Sequence, residues 1–223
     1  FEGTPLPRAV VTGNPVRPEV LAIDRERDAP SARTKHDVEP GRRMVLVFGG
    51  SLGALRINRA ALDAARHWVA RSDLHLRHVV GSRDWTEITA GGPPVPTDAP
   101  LRYQAVEYDD DMPTSLAAAD IAVCRSGAST SFELLAVGLP AVLVPSPHVT
   151  ADHQTANARH IERAGAAVVV PDPELDGDRL VAEVDALLSD PHRLEQMASA
   201  GRAAARPHAA DAIAELVEQH ARG

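Results

Sequence analysis

A single cysteine, Cys124, stands among 223 residues, so no disulfide can form within the chain and the fold depends on its core. A lone thiol suits a reducing compartment without requiring one. No run of 18 or more apolar residues occurs, which excludes an ordinary membrane-spanning helix. No basic stretch followed by a short apolar run is present, so no signal peptide is expected. The chain opens on Phe1 instead of methionine, and we expect it to be part of a longer protein. Lysine is nearly missing too. Lys35 is the only one, arginine supplies the remaining basic residues, and we read this as genomic base composition. Acidic residues exceed basic ones, for a net charge of −8, which argues against a nucleic-acid surface or an anionic-lipid anchor.

What is present is an alternation of apolar runs and amphipathic stretches. The length allows one large domain or two small ones, and a chain of this size buries roughly 70% of its unfolded surface. Ala9–Gly13 (AVVTG) reads as a first short strand ended by the Asn14-Pro15 turn. Residues 24–43 are charged and irregular, with a short helix expected from Ser31. Met44–Phe48 (MVLVF) reads as a strand buried on both faces. A glycine turn and a helix to about Val69 follow. Further strands are expected at 74–80, 101–106, 120–124, 141–144 and 166–170. Helices are expected near 85, 113–119, 128–137, 152–164, 176–188, 191–204 and 207–221. Residues 89–100 carry Pro93, Pro94, Pro96 and Pro100, each without an amide donor, and form a surface loop. The pattern predicts an α/β fold, a Rossmann-like parallel sheet flanked by helices.

Ligands in such sheets bind at the carboxyl ends of the strands, where five clusters fall. Gly49-Gly50-Ser51-Leu52-Gly53-Ala54 joins a strand to a helix, an arrangement that brings backbone amides and a helix N-terminus to an anion. A plain tight turn has the same appearance. The segment is neither Gly-x-Gly-x-x-Gly nor a P-loop. Arg125–Glu133 (RSGASTSFE) repeats the arrangement one strand on, so two helix openings could hold one diphosphate. Ser129 and Glu133 share a helix face. That places the Glu133 carboxylate to accept from ribose hydroxyls, although complementing the helix dipole would also explain it. Gln154 and Asn157 share the face of a later helix, where amides suit sugar hydroxyls and an acetamido group. Asn157 is a poor helix former that solvent exposure would explain equally. His148 and His153 lack a third ligand at metal-binding spacing, and His153 could reach the same ligand. Arg17 closes a strand-end turn. Asp109-Asp110-Asp111 resembles the cation motif of metal-dependent glycosyltransferases, but a cap on the next helix is the reading we favour. Cys124, Trp68 and Trp85 read as packing residues.

Four blocks carry a resemblance: VVTGNPVR (10–17), VFGGSLGA (47–54), CRSGASTSFELLAVGLPAVLVPSPH (124–148) and DHQTANA (152–158). Together they closely resemble the MurG family of bacterial N-acetylglucosaminyltransferases, and only the C-terminal, donor-binding half of that two-domain GT-B architecture. The resemblance implies that residues 1–17 form the interdomain connection and first strand. It makes 18–223 the UDP-sugar-binding domain, with the acceptor domain preceding Phe1. It implies that Gly50, Ser51 and Gly53 lie by the diphosphate of UDP-N-acetylglucosamine, facing the amides of Ala128, Ser129 and Thr130. Glu133 would bind ribose, Gln154 and Asn157 the sugar, Asp109 the uracil through its backbone, and Arg17 would lie in the nucleotide-sugar cleft. Leu52 stands where the family usually has Gln, and Asp109 where it usually has an apolar residue.

The implied chemistry is inverting transfer of N-acetylglucosamine to undecaprenyl-pyrophosphoryl-muramyl-pentapeptide, with no cofactor and no metal. Helix openings and Arg17 would stabilise the departing UDP. The general base and the membrane contact are expected on the other half, which places the whole enzyme peripherally on the cytoplasmic face of the inner membrane. Competing readings are a metal-dependent glycosyltransferase using Asp109–Asp111, a UDP-N-acetylglucosamine 2-epimerase of the same architecture, and a dinucleotide-binding module. The missing Gly-x-Gly-x-x-Gly counts against the last.

Overall fold

The computed structural model describes residues 9–50, 53–149 and 152–221. Six parallel strands form one sheet: β1 (Arg43–Phe48), β2 (Leu74–Val79), β3 (Arg102–Val106), β4 (Ile121–Cys124), β5 (Ala141–Leu143) and β6 (Ala167–Val169). Their order is β3-β2-β1-β4-β5-β6, the strand order of a Rossmann sheet. Register is set by β1, where Val45 pairs with Leu76 on one side and Ile121 on the other.

The two-sided apolar reading of MVLVF follows from the pleat. Val45 and Val47 face a core with α3 (Leu55–His67) and α8 (Gly177–Leu188). Met44, Leu46 and Phe48 face a second core with α2 (Arg25–Lys35), α5 (Met112–Ala118), α6 (Ala128–Val137) and α7 (His153–Arg163). Trp68 is buried in the first core and Cys124 in the second, where burial pushes the thiol up and leaves it inert. Helix α9 (Pro191–Ala204) starts on an Asp190 cap, and α10 (Ala209–Ala221) ends the described chain. Among the described residues no helix is long and apolar enough to cross a membrane.

Three local expectations need correction. Residues 9–13 form no strand. They run beside α6 and α7, with a cavity of about 190 Å³ between, so the β-branched residues there have no ladder partner. The helix expected from Ser31 begins at Arg25 instead, because Asp24 caps it by accepting from the amides of Glu26 (3.0 Å) and Arg27 (3.3 Å). Ser31 sits mid-helix, its hydroxyl donating to the Asp28 carbonyl. A short helix α1 (Pro18–Leu21), opened by proline at its first position, was not anticipated. The proline loop remains irregular, but Val95 anchors it in the core.

Two histidines of β2 are buried without charge. Burial, aided by Arg102, Arg42 and Arg77, pushes His75 down to about 4. Burial alone takes His78 down to about 4. Unfolded histidines titrate near ~6.5, so the unfolded chain binds more protons between those values. Stability is therefore full above that pH and declines as pH falls toward 4, by up to about 2.7 kcal/mol per pH unit for two protons. Urea midpoints should be level from pH 8 to 7 and drop between pH 6 and 5. A level profile down to pH 5 would contradict the buried, neutral state.

Candidate functional site

Strand order reverses between β1 and β4, which opens a crevice at their carboxyl ends. The glycine loop after β1 forms one wall. Gly50 (φ +97°) and Gly53 (φ +89°) lie in the left-handed region. Gly53 is also sterically fixed, since an added Cβ would lie 2.5 Å from the Val80 carbonyl and 2.7 Å from Asp84 Oδ2. Helix α3 follows from Ala54, with no side chain capping it. Ser51 and Leu52 lie outside the described residues.

The second wall is the opening of α6. Gly127 is its N-cap, and no side chain caps it. The first bond at this end runs from the Ser131 amide to the Gly127 carbonyl (2.9 Å), so the amides of Ala128, Ser129 and Thr130 precede the helical ladder. A Cβ on Gly127 would meet nothing within 4 Å. Two uncapped helix openings thus border one crevice, and each offers partial positive charge to an anion.

A cleft of about 820 Å³ adjoins them, lined by Gly49, Gly53, Arg56, Arg125, Ser146 and Gln154 among others. Its arginines are already engaged. Arg125 donates to the carbonyls of Val144 (3.1 Å) and Pro145 (3.2 Å). It also pairs with Asp172 Oδ1 at 2.5 Å, without hydrogen-bond alignment. Arg56 reaches the other Asp172 oxygen at 3.0 Å.

Sequence candidates far apart meet here. Glu133, one turn into α6, accepts from Arg17 Nε at 2.9 Å across 116 positions. Gln154 and Asn157 belong to a knot that fastens α7 to the loops after β4 and β5. Asn157 Nδ2 donates to the Ser126 carbonyl (3.0 Å), the Ser126 hydroxyl donates to the Gln154 carbonyl (2.8 Å), and the Ser146 amide donates to Gln154 Oε1 (2.9 Å). Asn157 is buried, not solvated. Among the described residues Gln154 Nε2 and Asn157 Oδ1 remain unengaged. His153 is exposed in the first turn of the same helix.

The acidic triplet splits. Asp111 caps α5, accepting from the Thr114 amide (3.4 Å) and hydroxyl (2.6 Å), as the cap reading expects. The Asp109 side chain turns inward and accepts from Arg77 (3.0 and 3.2 Å) and Ser115 (2.6 Å). The carboxylates therefore do not converge, and no cluster able to hold a metal occurs among the described residues. Sequence reading missed Asn58 and His78, which are fully buried beneath the glycine loop. An asparagine among Ile57, Ala60 and Ala61 was the available signal.

Residues 44–216 match the model of the glycosyltransferase family 28 C-terminal domain. The chain belongs to this family. Within it, a Salinibacter ruber protein named UDP-N-acetylglucosamine–N-acetylmuramyl-(pentapeptide) pyrophosphoryl-undecaprenol N-acetylglucosamine transferase is 44% identical over 94% of this chain. A protein of the same name from Acidothermus cellulolyticus is 40% identical over 97%. This family 28 chain spans 54% and 58% of their lengths. The crystal structure of Acinetobacter baumannii MurG superposes with a TM-score of 0.74 at 27% identity, covering 90% of this chain and 55% of that one.

Proposed function

We propose that this chain is the donor-binding half of an inverting, metal-independent N-acetylglucosaminyltransferase. It binds UDP-N-acetylglucosamine for transfer to undecaprenyl-pyrophosphoryl-N-acetylmuramyl-pentapeptide in peptidoglycan synthesis. The observation that carries the reading is the pair of uncapped helix openings at the sheet's switch point. Its family and the names of its relatives support it. The diphosphate lies between the glycine loop, including Ser51, and the amides of Ala128–Thr130. Glu133 takes ribose hydroxyls once Arg17 swings from its carboxylate toward the phosphates. Gln154 Nε2 and Asn157 Oδ1 face the sugar with His153 beside them, and the backbone at Asp109 meets the uracil.

A muramyl hydroxyl then attacks the anomeric carbon from the face opposite the diphosphate, and UDP departs with the bonding pair. Fixed dipoles at the two helix openings stabilise the charge it carries away, the part a cation plays in metal-dependent transferases. The base that takes the hydroxyl proton belongs to an acceptor-binding half, as does contact with the cytoplasmic membrane face. That this chain spans only 54% and 58% of these relatives' lengths supports that division.

Titration calorimetry of this chain with UDP, UDP-N-acetylglucosamine and NAD, each with and without EDTA, tests the reading. Both uridine ligands should bind equally with chelator present, and NAD should not bind. Absence of UDP binding, or its loss on chelation, would sink the proposal. Conversion of UDP-N-acetylglucosamine supplied alone would favour an epimerase instead.

A further inference from the structure

Beneath the glycine loop four polar side chains from four segments form one unbroken chain of hydrogen bonds. Tyr103 Oη on β3 lies 2.9 Å from His78 Nδ1 on β2. His78 Nε2 lies 2.9 Å from Asn58 Oδ1 on α3. Asn58 Nδ2 donates to the Val80 carbonyl (2.9 Å) and to Asp84 Oδ2 (3.0 Å), in the turn after β2. Proton directions follow from this inventory. The Asn58 amide nitrogen is committed as donor, so its oxygen accepts from His78 Nε2–H. That leaves Nδ1 as an acceptor, and the Tyr103 hydroxyl donates to it.

The chain ends against the loop. Asp84 Oδ2 lies 2.7 Å from where a Gly53 Cβ would stand, and Arg83 bridges the remaining gap. Its Nε donates to Asp84 Oδ1 (3.1 Å) and its Nη2 to the Gly53 carbonyl (3.3 Å). The Asn58 amide meanwhile closes the first turn of α3 on the Ala54 carbonyl at 2.9 Å. Asn58 and His78 are both 0% exposed, where apolar residues would pack without the cost of desolvating two polar side chains. A requirement for exact geometry accounts for keeping them.

We propose that Asn58, oriented by His78, is the positioning residue of the diphosphate site. It locks the opening of α3 to the end of β2 and so sets how the glycine loop faces the opening of α6. The inference rests on the donor-binding reading above and adds to it the residues that aim the phosphate grip.

A positioning role makes a claim that a merely stabilising one does not: the loss falls on the diphosphate and spares the nucleoside. UDP and uridine affinities are to be measured by calorimetry for the wild-type chain, Asn58→Leu, His78→Leu and His78→Gln, beside their melting temperatures. Asn58→Leu and His78→Leu should weaken UDP about tenfold or more while uridine stays within about twofold. His78→Gln, which keeps a donor toward Asn58, should recover most of the UDP affinity. Equal loss of both ligands, or UDP binding at wild-type strength, would overturn the proposal. If the wild type binds uridine but gains nothing from the diphosphate, the donor-site reading fails first and takes this one with it. Tyr103→Phe removes one hydroxyl and guards against unfolded variants. It should raise hydrogen exchange at the amides of residues 53–58 and leave that of β1 unchanged, and an unchanged rate at 53–58 counts against the brace.

Discussion

Asp109→Leu alone should lower stability by about 3–5 kcal/mol, whereas Asp109→Leu combined with Arg77→Met should recover most of that loss. The asymmetry follows from burial. Side-chain exposure is 7% for Arg77 and 3% for Asp109, so neither charge is solvated. Arg77 spends its donors on Asp109, on the Ser115 hydroxyl (3.0 Å) and on Gln104 Oε1 (2.7 Å). The Ser115 hydroxyl donates its hydrogen to Asp109 Oδ2, so His36 Nε2, 3.0 Å away, must donate to that hydroxyl oxygen. Burial, then the repulsion of Arg77, holds His36 below its ordinary range and keeps it neutral there. Removing the carboxylate strands a guanidinium among groups arranged for a pair, whereas removing both partners leaves no buried charge and only the neutral Ser115 hydroxyl, Gln104 Oε1 and Asp111 amide to find other partners. Thermal melting should show a drop on the order of 10 °C for the single variant. A single variant as stable as wild type would mean that the pair is hydrated in solution. Asp109 also accepts from the Asp111 amide (3.1 Å), so the pair fixes the backbone turn assigned to the uracil.

That pair shows where sequence reading stops. Apolar runs and glycine punctuation located all six strands, because burial on both faces leaves a continuous signal in MVLVF and in IAVC. The same logic failed for AVVTG, which runs beside two helices across a cavity and meets no strand. Ser31 read as a helix start within the charged 24–43 stretch. The stronger cap, Asp24, needed only its two amide bonds to begin the helix six residues earlier. The helix openings at Ala54 and Gly127 were legible since glycines and small polar residues mark them. What a side chain does after arriving was not. Asn157 was balanced between ligand and solvent, and the structure gives it the Ser126 carbonyl as partner. Glu133 and Arg17 met across 116 positions, a pairing no local spacing encodes. Asp109 read as part of a loop capping the next helix, but its side chain turns inward, because its partner Arg77 hides within β2.

Alanine at Gly53 and at Gly127 should separate the two jobs a glycine does in this crevice. At Gly53 the backbone is left-handed, and a methyl would press on the Val80 carbonyl and Asp84 together. Strain and overlap should destabilise the chain by about 3 kcal/mol or more and cost UDP affinity at least about 100-fold, since the loop must leave its position. Gly127 has φ −59° and open space around its missing side chain. Alanine there costs no more than about 1 kcal/mol, the difference between a fair and a poor N-cap. Yet the methyl would project where the diphosphate must approach the amides of Ala128 and Ser129, so UDP affinity should fall about tenfold or more. Urea denaturation reads the first quantity and calorimetry the second. Gly127→Ala that binds UDP as tightly as wild type would remove the diphosphate from the opening of α6, and with it the electrostatic account of how UDP departs.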